Sequence, residues 1–434
     1  MSWNDRLGNM GVEKKAMFLL FALMVFLLLG DTIAMAQSRS APDSIGTEQR
    51  ATNAGSGNGV NEANGGLDGG LSGDLAKEQS EDVELGQIQK YWSDLKTEYG
   101  GYFPEGKLPE LRQLMFPTGE SWNPMKALGG LARFFLHEVL YSGKLLVTIV
   151  LLSVFTMLLE TMQSAFERNA VSKVAYGIAY MVLIILAVNS FKTATSYAGE
   201  AIANMVQFML AMVPLLLTLL AGTGGVASAA VLHPLIVFMI HTVGTFIHVV
   251  VFPLLFFSAV LYLVSAMSER YKATQLANLL RNVGIGIMGV LLTVFLGVLS
   301  VQGATGAVTD GVALRTAKFV TGNFVPVVGK MFSDATDTVM SASLLVKNAV
   351  GLAGVIVLLF LCAFPALKIL TLALIYNVAG AVMQPLGDTP IVKCLQTIGK
   401  TLIYVFAALA SVGLMFFLAV TIILTAGNAA LMIR

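Results

Sequence analysis

Hydrophobic residues fall in long runs from residue 143 to the carboxyl terminus, and short polar connections separate these runs. A run of about twenty apolar residues predicts a helix that crosses a bilayer, because each residue advances a helix by about 1.5 Å. About eight or nine such passes are expected within residues 143–434. The clear runs are 145–162, 174–191, 202–221, 283–301, 350–367, 369–383 and 401–425.

The run 231–267 is long enough for two short spans or for one long kinked span. Pro253 is a candidate break in the helix, and Gly244 is a second position at which the helix could kink. We expect two crossings, because residues 268–282 carry three basic residues against Glu269, which is typical of a cytoplasmic connection. With two crossings, equal numbers of lysines and arginines fall on the two sides of the membrane. The charge distribution therefore does not orient the later spans.

Residues 303–349 form a Gly-rich, amphipathic segment between two apolar runs. Its spacing predicts two amphipathic helices separated at Pro326, with Lys330, Asp334 and Asp337 on one face. The pair either lies flat at the bilayer interface or is re-entrant, with charged faces that line an aqueous path or a subunit contact. The interface is favoured, because charge inside a bilayer is costly. The candidate conduit-lining or subunit-contact residues are Asp310, Arg315, Lys318, Lys330, Asp334 and Asp337.

The first 36 residues have the pattern of a secretory signal peptide. Lysines including Lys14 precede a short apolar core at 16–29, and a small-x-small pattern ends at Ala36. Cleavage is expected between Ala36 and Gln37, with an uncleaved anchor as the alternative. In either case Gln37 begins on the outer side of the membrane.

Residues 37–81 are rich in Gly, Asn and Ser and predict a disordered linker. Residues 82–142 predict a small exported helical region, which begins with an apolar seam at 3-4 spacing and ends with an amphipathic, interfacial helix at 121–141. The seam packs either on the rest of this region or on a partner. Its residues are Leu85, Ile88, Trp92, Leu95 and Tyr99.

Composition supports a membrane protein, since 56% of the residues are hydrophobic and only 12% are charged. The net charge of +1 gives no electrostatic footprint for nucleic acid. Two cysteines, Cys362 and Cys394, indicate neither a disulfide framework nor a metal cluster. The predicted fold class is therefore all-α. It is a polytopic helical membrane protein with a cleavable signal peptide, a small exported helical region and an amphipathic re-entrant or interfacial helix pair.

Candidate chemistry is sparse along the chain. His233, His241 and His248 share one run without the i, i+4 spacing and nearby carboxylate that a metal pair needs. Glu160 and Lys368 lie near predicted span ends, where both side chains can reach water. No phosphate-binding loop, nucleophile elbow or paired-carboxylate motif is present, so we expect no enzyme activity and no cofactor. Recurring glycines instead predict close helix packing. They are Gly284, Gly286, Gly289, Gly297, Gly303, Gly306 and Gly311.

Several strings together resemble the stage III sporulation protein AE family of endospore-forming bacteria. The resemblance covers residues 83–434. The charged segment carries it, as do HEVLYSGKLL (137–146), VSKVAY (171–176), MVLIILAVNSF (181–191), TQLANLLRN (274–282) and MQPLGDTP (383–390).

The resemblance implies a membrane platform or conduit component of the complex that links mother cell and forespore. It also implies a need for the protein in forespore development and in late sigma-factor activity. The protein would sit in the mother-cell membrane, with its amino-terminal region in the intermembrane space. Partners would be other stage III sporulation membrane subunits, further copies of the chain in a homo-oligomer, membrane lipid and a separate cytoplasmic ATPase. The alternative function is a stand-alone permease for a small solute.

Overall fold

In a computed structural model the described residues are 86–103, 108–115, 124–165, 170–267, 273–324, 328–387 and 389–432. The expected signal peptide, its cleavage site and the expected linker lie outside them. The α-helices of the described residues are α1 (Gly86–Tyr99), α2 (Leu111–Met115), α3 (Pro124–Tyr141), α4 (Gly143–Ala165), α5 (Ala170–Gly222), α6 (Val226–Phe246), α7 (Phe252–Met267), α8 (Thr274–Phe324), α9 (Val328–Met383) and α10 (Pro390–Met432).

Four of these helices are much longer than one bilayer requires. Helices α5, α8, α9 and α10 contain 53, 51, 56 and 43 residues. At 1.5 Å per residue they measure roughly 65–85 Å, about twice or more the 30 Å hydrocarbon core of a membrane. The predicted all-α polytopic class is confirmed, because six helical segments of the described residues are long and apolar enough to cross a membrane.

The expectation of eight or nine passes is not met among the described residues, where six helical segments are candidate spans. The runs 174–191 and 202–221 share the continuous helix α5, and the runs 350–367 and 369–383 share α9. The residues between the two runs of each helix, such as Lys368, continue the helix. A short polar interval between apolar runs is therefore not a turn here. Pro214 and Pro365 also lie inside these helices without ending them.

The expected double crossing at 231–267 is also wrong. Helix α6 continues through a five-residue π-helical segment, Ile247–Val251, directly into α7. Pro253 follows this π-helical segment, after Phe252, and does not end the helix. The chain therefore runs in one direction from Val226 to Met267 and forms one candidate span.

The core lies among α5, α9 and α10, whose facing side chains are fully buried along most of their length. Met205, Phe208 and Leu216 of α5 pack in this interior with Phe364 of α9 and Met415 of α10. Helices α4 and α8 lie at the outside and expose large apolar side chains, as helices do where they face lipid.

Helix α1 packs on the long helices rather than only on its neighbours in the chain. The predicted seam is confirmed where it is described, since Ile88, Trp92, Leu95 and Tyr99 are buried. Rings of α9 receive Trp92 and Tyr99 of the seam, and Phe208 of α5 receives the adjacent Tyr91. The seam also contacts its own region, where Trp92 donates to the Pro109 carbonyl and Tyr99 meets Phe134, so the expected packing on that region holds in part.

Candidate functional site

The charged segment 303–349 belongs to two of the long helices. Its first half is the last part of α8, and its second half is the first part of α9. The helices end and begin at Phe324 and Val328, on either side of Pro326, as the sequence predicts. The expected separate pair of short helices is not formed, because each half continues without a break into an apolar run.

Asp310 is buried at the junction of α8 and α6. Its carboxylate oxygens accept hydrogen bonds from the backbone N–H groups of Ala227 at 2.9 Å and Ser228 at 3.1 Å. These are among the first N–H groups of α6, which have no partner within their own helix. Asp310 therefore caps α6 from another helix, and its charge also matches the positive end of the helix dipole. Its side chain is 2% exposed, so in this chain it faces a helix end.

Of the other five candidate residues on α8 and α9, only Arg315 has a side chain that the structure describes. Arg315 is exposed on the outer face of α8, and the nearby Phe319 is 70% exposed. Lys318, Lys330, Asp334 and Asp337 lie within the two helices, and their side chains fall outside the described ones. The backbone of α9 is helical throughout, so its three candidates keep the spacing of one helix face.

Lys347, in the same segment, is fully buried between α9 and α10. Its ammonium group donates a hydrogen bond to the backbone carbonyl of Leu424 at 3.1 Å. One turn later, Gly351 is so close to Leu424 that a Cβ atom there would lie 2.3 Å from a methyl carbon of that side chain. A buried lysine is rare in an apolar core, so this contact fixes the register of two long helices.

Close packing at the predicted glycines is confirmed at two positions of α8. A Cβ atom at Gly306 would lie 2.4 Å from the Ser228 hydroxyl oxygen, and one at Gly303 would lie 2.8 Å from Ile422. Gly286 and Gly289 have open space instead. Gly306 lies one turn before Asp310, so the absence of a side chain there lets α8 approach the end of α6 that Asp310 caps.

An aromatic cluster joins the amino-terminal helices to α9. The Tyr99 ring stacks on Phe364 at 3.8 Å between centroids, and Phe103 and Phe134 meet the same ring edge-on. Lys368 lies 3.9 Å from the Glu98 carboxylate and over the ring of Tyr99. Lys368 is therefore not a snorkelling span end, and it contacts α1 through charge and a ring face.

The three histidines of the 231–267 run are exposed. Over the described ranges, no group of three or more His, Cys, Asp or Glu side chains comes together as a metal site would require. Sequence reasoning also missed the cap at Asp310, because residues 82 positions apart in the chain share no local pattern.

Comparison with known proteins places the chain in a family. Residues 108–427 match the family model for stage III sporulation protein AE. The chain belongs to the stage III sporulation protein AE family. A relative named stage III sporulation protein AE, from Bacillus subtilis (strain 168), is 55% identical over 361 residues, which cover 83% of this chain and 90% of the relative. No solved structure matches.

The features that define the site lie inside the part that matches the stage III sporulation protein AE family. Asp310, Lys347 and the aromatic residues of α9 fall within residues 108–427, whereas helix α1 precedes that range. The resemblance read from the sequence is therefore confirmed at the level of the family.

Proposed function

We propose that the chain is a membrane platform or conduit component of the complex that links mother cell and forespore, needed for forespore development and late sigma-factor activity. Membership of the stage III sporulation protein AE family supports a role in sporulation. Six apolar helical segments support a multi-pass protein of the cell membrane. The mother-cell membrane is the proposed location, with the amino-terminal region exported into the intermembrane space after cleavage at Ala36.

The observation that carries an assembly role is the length of the exposed apolar face of α8. Large apolar side chains are exposed at intervals from Leu276 to Phe319. This distance is roughly 65 Å along a helix, about twice the hydrocarbon core of one bilayer. Lipid alone does not cover such a face on an upright helix. Other copies of the chain and other stage III sporulation membrane subunits are therefore the proposed partners for the rest of it.

The packing of the described core favours a conduit built between subunits over one inside a single chain. Side chains of α5, α9 and α10 fill the interior along the bundle axis. A stand-alone permease needs a passage or a substrate cavity within one chain. In the proposal, the face with Lys330, Asp334 and Asp337 lines a shared passage or a subunit contact, and a separate cytoplasmic ATPase supplies energy.

Reversing the three charges of that face tests the proposal. The triple variant Lys330→Glu, Asp334→Lys, Asp337→Lys should reduce sporulation and the activity of a late forespore sigma-factor reporter by at least about tenfold, because a lining or a contact depends on charge sign. The amount of protein in the membrane, measured by immunoblotting, should stay near that of the wild type.

The matched control reverses two exposed charges of α1, Lys90→Glu and Asp94→Lys, and should sporulate normally. Full sporulation by the triple variant would exclude a role for this face. Solute uptake by the purified chain alone in lipid vesicles would instead support the permease. A pull-down from sporulating cells, with the intact complex weighed by mass spectrometry, tests the proposed homo-oligomer and partner subunits.

A further inference from the structure

A partly buried arginine lies near the start of α8, where α7, α8 and α10 meet. The central carbon of the Arg281 guanidinium group is 5.9 Å from the ring centre of Tyr262 on α7 and 5.5 Å from that of Tyr404 on α10. The Tyr262 hydroxyl in turn donates a hydrogen bond to the side-chain oxygen of Asn278 on α8. Side chains of three helices therefore fix the position of this cation.

Most of the hydrogen-bonding capacity of the Arg281 guanidinium is not used by the described residues. Its Nη1 atom donates to the Tyr262 hydroxyl at 3.5 Å, and its Nη2 atom donates to the side-chain oxygen of Asn282 at 3.4 Å. Both bonds are longer than the usual distance of about 2.9–3.0 Å. The Nε atom is buried without a hydrogen-bond partner among the described residues. The guanidinium thus keeps N–H donors for a further acceptor.

The positive charge of Arg281 is not neutralised by an acidic side chain. Among the residues that the structure describes, no carboxylate pairs with Arg281, whereas Lys368 meets the Glu98 carboxylate at 3.9 Å. The two ring faces attract a cation, but they carry no net charge. A charge beside hydrocarbon is costly unless an anion lies close to it. An anion from outside the chain therefore suits this place.

Arg281 lies at the border between the polar and the apolar part of α8. The helix begins at Thr274, roughly 10 Å before Arg281, and its apolar run begins at Val283. A long arginine side chain this near the helix start reaches from the edge of the hydrocarbon to the lipid headgroups. Tyrosines are enriched at the same depth. Asn282, which accepts from Nη2, is exposed, so this edge of the guanidinium faces the outside of the bundle.

The anion that a membrane offers at this depth is a phospholipid phosphate. A guanidinium binds phosphate through two parallel N–H···O bonds, and basic pockets between membrane helices bind anionic headgroups. A zwitterionic lipid compensates its phosphate with its own ammonium group, whereas an anionic lipid does not. We propose that Arg281, held between Tyr262 and Tyr404, binds the phosphate group of an anionic phospholipid where α7, α8 and α10 meet.

The test measures thermal unfolding of the purified full-length chain in detergent with increasing phosphatidylglycerol, an anionic lipid, or phosphatidylcholine, a zwitterionic one. Phosphatidylglycerol should raise the Tm of the wild type by about 3 °C more than phosphatidylcholine, with a saturable dependence, because a ligand that binds only the folded state stabilises it. The variant Arg281→Gln should lose the difference between the two lipids. Arg315→Gln, which changes an exposed arginine of the same helix, should keep it.

A second variant protects the test against misfolding of Arg281→Gln. Arg281→Lys keeps the positive charge and loses the planar fork, so its half-saturating phosphatidylglycerol concentration should rise several-fold. An unchanged half-saturating concentration in this variant would overturn the proposal. Equal Tm values of the wild type in the two lipids, or an undiminished difference in Arg281→Gln, would overturn it as well. An equal stabilisation by inorganic phosphate without lipid would overturn it in favour of a soluble anion.

Discussion

Asp310 and Lys347 come from the same charged segment, and both side chains are buried against backbone groups of another helix. Asp310 accepts from N–H groups at a helix start that their own helix leaves open, whereas Lys347 donates to a carbonyl inside α10, eight residues before the end of that helix. A charged residue in a membrane protein often indicates a transport path. The same residue type can instead hold two helices together through a buried hydrogen bond. The contacts of these two residues support the second role.

Replacement of Asp310 by alanine should destabilise the protein. The N–H groups of Ala227 and Ser228 lose their acceptor, and we expect a loss of about 1–2 kcal/mol in the free energy of unfolding. Thermal unfolding in detergent measures the change. Thr309→Ala, which alters the exposed neighbour, is the control and should unfold like the wild type. An Asp310→Ala variant as stable as the wild type would show that the cap contributes nothing.

Tyr99 predicts a dependence of stability on alkaline pH. Burial raises the pKa of its phenol above the usual value near 10, and the neighbouring Glu98 raises it further. The folded state therefore holds this proton more tightly than the unfolded state. This contribution to stability is complete below about pH 10 and is lost as the pH rises above it.

Unfolding of a Tyr99→Phe variant checks this sign. Its stability should decline less than that of the wild type between about pH 9 and 11, because phenylalanine keeps the ring and cannot ionise. Tyr141→Phe removes an exposed phenol and should follow the wild type. If Tyr99→Phe also follows the wild type, burial of the Tyr99 phenol does not contribute to the alkaline loss of stability.

At the scale of helices, glycines decide how closely α8 approaches its neighbours. Gly306 and Gly289 lie on the same helix, but only Gly306 faces another backbone at close range. The sequence predicts both from the same recurring pattern and does not separate them. The difference depends on which face of α8 meets α6, and this is a property of the packed bundle.

The two glycines form a matched pair for substitution. Gly306→Ala should lower the free energy of unfolding by about 1–3 kcal/mol, since its methyl group would overlap Ser228. Gly289→Ala should be neutral or stabilising by up to about 1 kcal/mol, because alanine favours helix and has open space there. Chemical or thermal unfolding measures both. Equal destabilisation by the two substitutions would contradict the close approach at Gly306.

Helix α1 should loosen when its central ring is removed. Trp92 packs on Phe360, and its indole N–H donates to the carbonyl of Pro109 at 2.9 Å. A Trp92→Ala variant should lose about 3–5 kcal/mol of packing energy. Hydrogen–deuterium exchange of the α1 amides should then become faster, whereas Lys96→Ala, at an exposed position of α1, should leave it unchanged. Unchanged protection in Trp92→Ala would show that α1 is held elsewhere.

At the scale of the whole molecule, the number of crossings follows from where helices continue. The uninterrupted run from Val226 to Met267 places its two ends far apart, at opposite ends of one candidate span. Two crossings would have returned the chain to the side from which it started. Whether this run crosses once or twice therefore decides on which side of the membrane each later helix begins.

Cysteine labelling distinguishes the two topologies. Val226→Cys and Gln275→Cys place thiols at exposed positions near the two ends of the run. An impermeant thiol reagent applied to intact cells should label one and not the other, and both should react after the membrane is permeabilised. The native Cys362 and Cys394 are buried and should give little background. Labelling of both variants from outside would contradict a single crossing.

Much of the architecture was accessible without the structure. Helical class, membrane location and the family followed from long apolar runs and from characteristic strings, as the confirmed seam of α1 illustrates. Helix ends were harder to predict, because intervals such as the one at Lys368 look like connections when only hydropathy is considered. Lys368 stays within a helix since it meets Glu98 and the Tyr99 ring, which compensate its charge.

The sequence by itself determined which segments are helical and apolar, because periodicity and hydrophobicity are properties of neighbouring residues in the chain. Only the tertiary structure decided which buried polar side chains have a hydrogen-bond partner and which have none. Asp310 finds its partners on α6 and Lys347 on α10, whereas one carboxylate oxygen of Glu160 is buried without a hydrogen-bond partner among the described residues. The physical reason is that a buried polar group is stabilised by whatever lies beside it in space, and those neighbours come from distant parts of the chain.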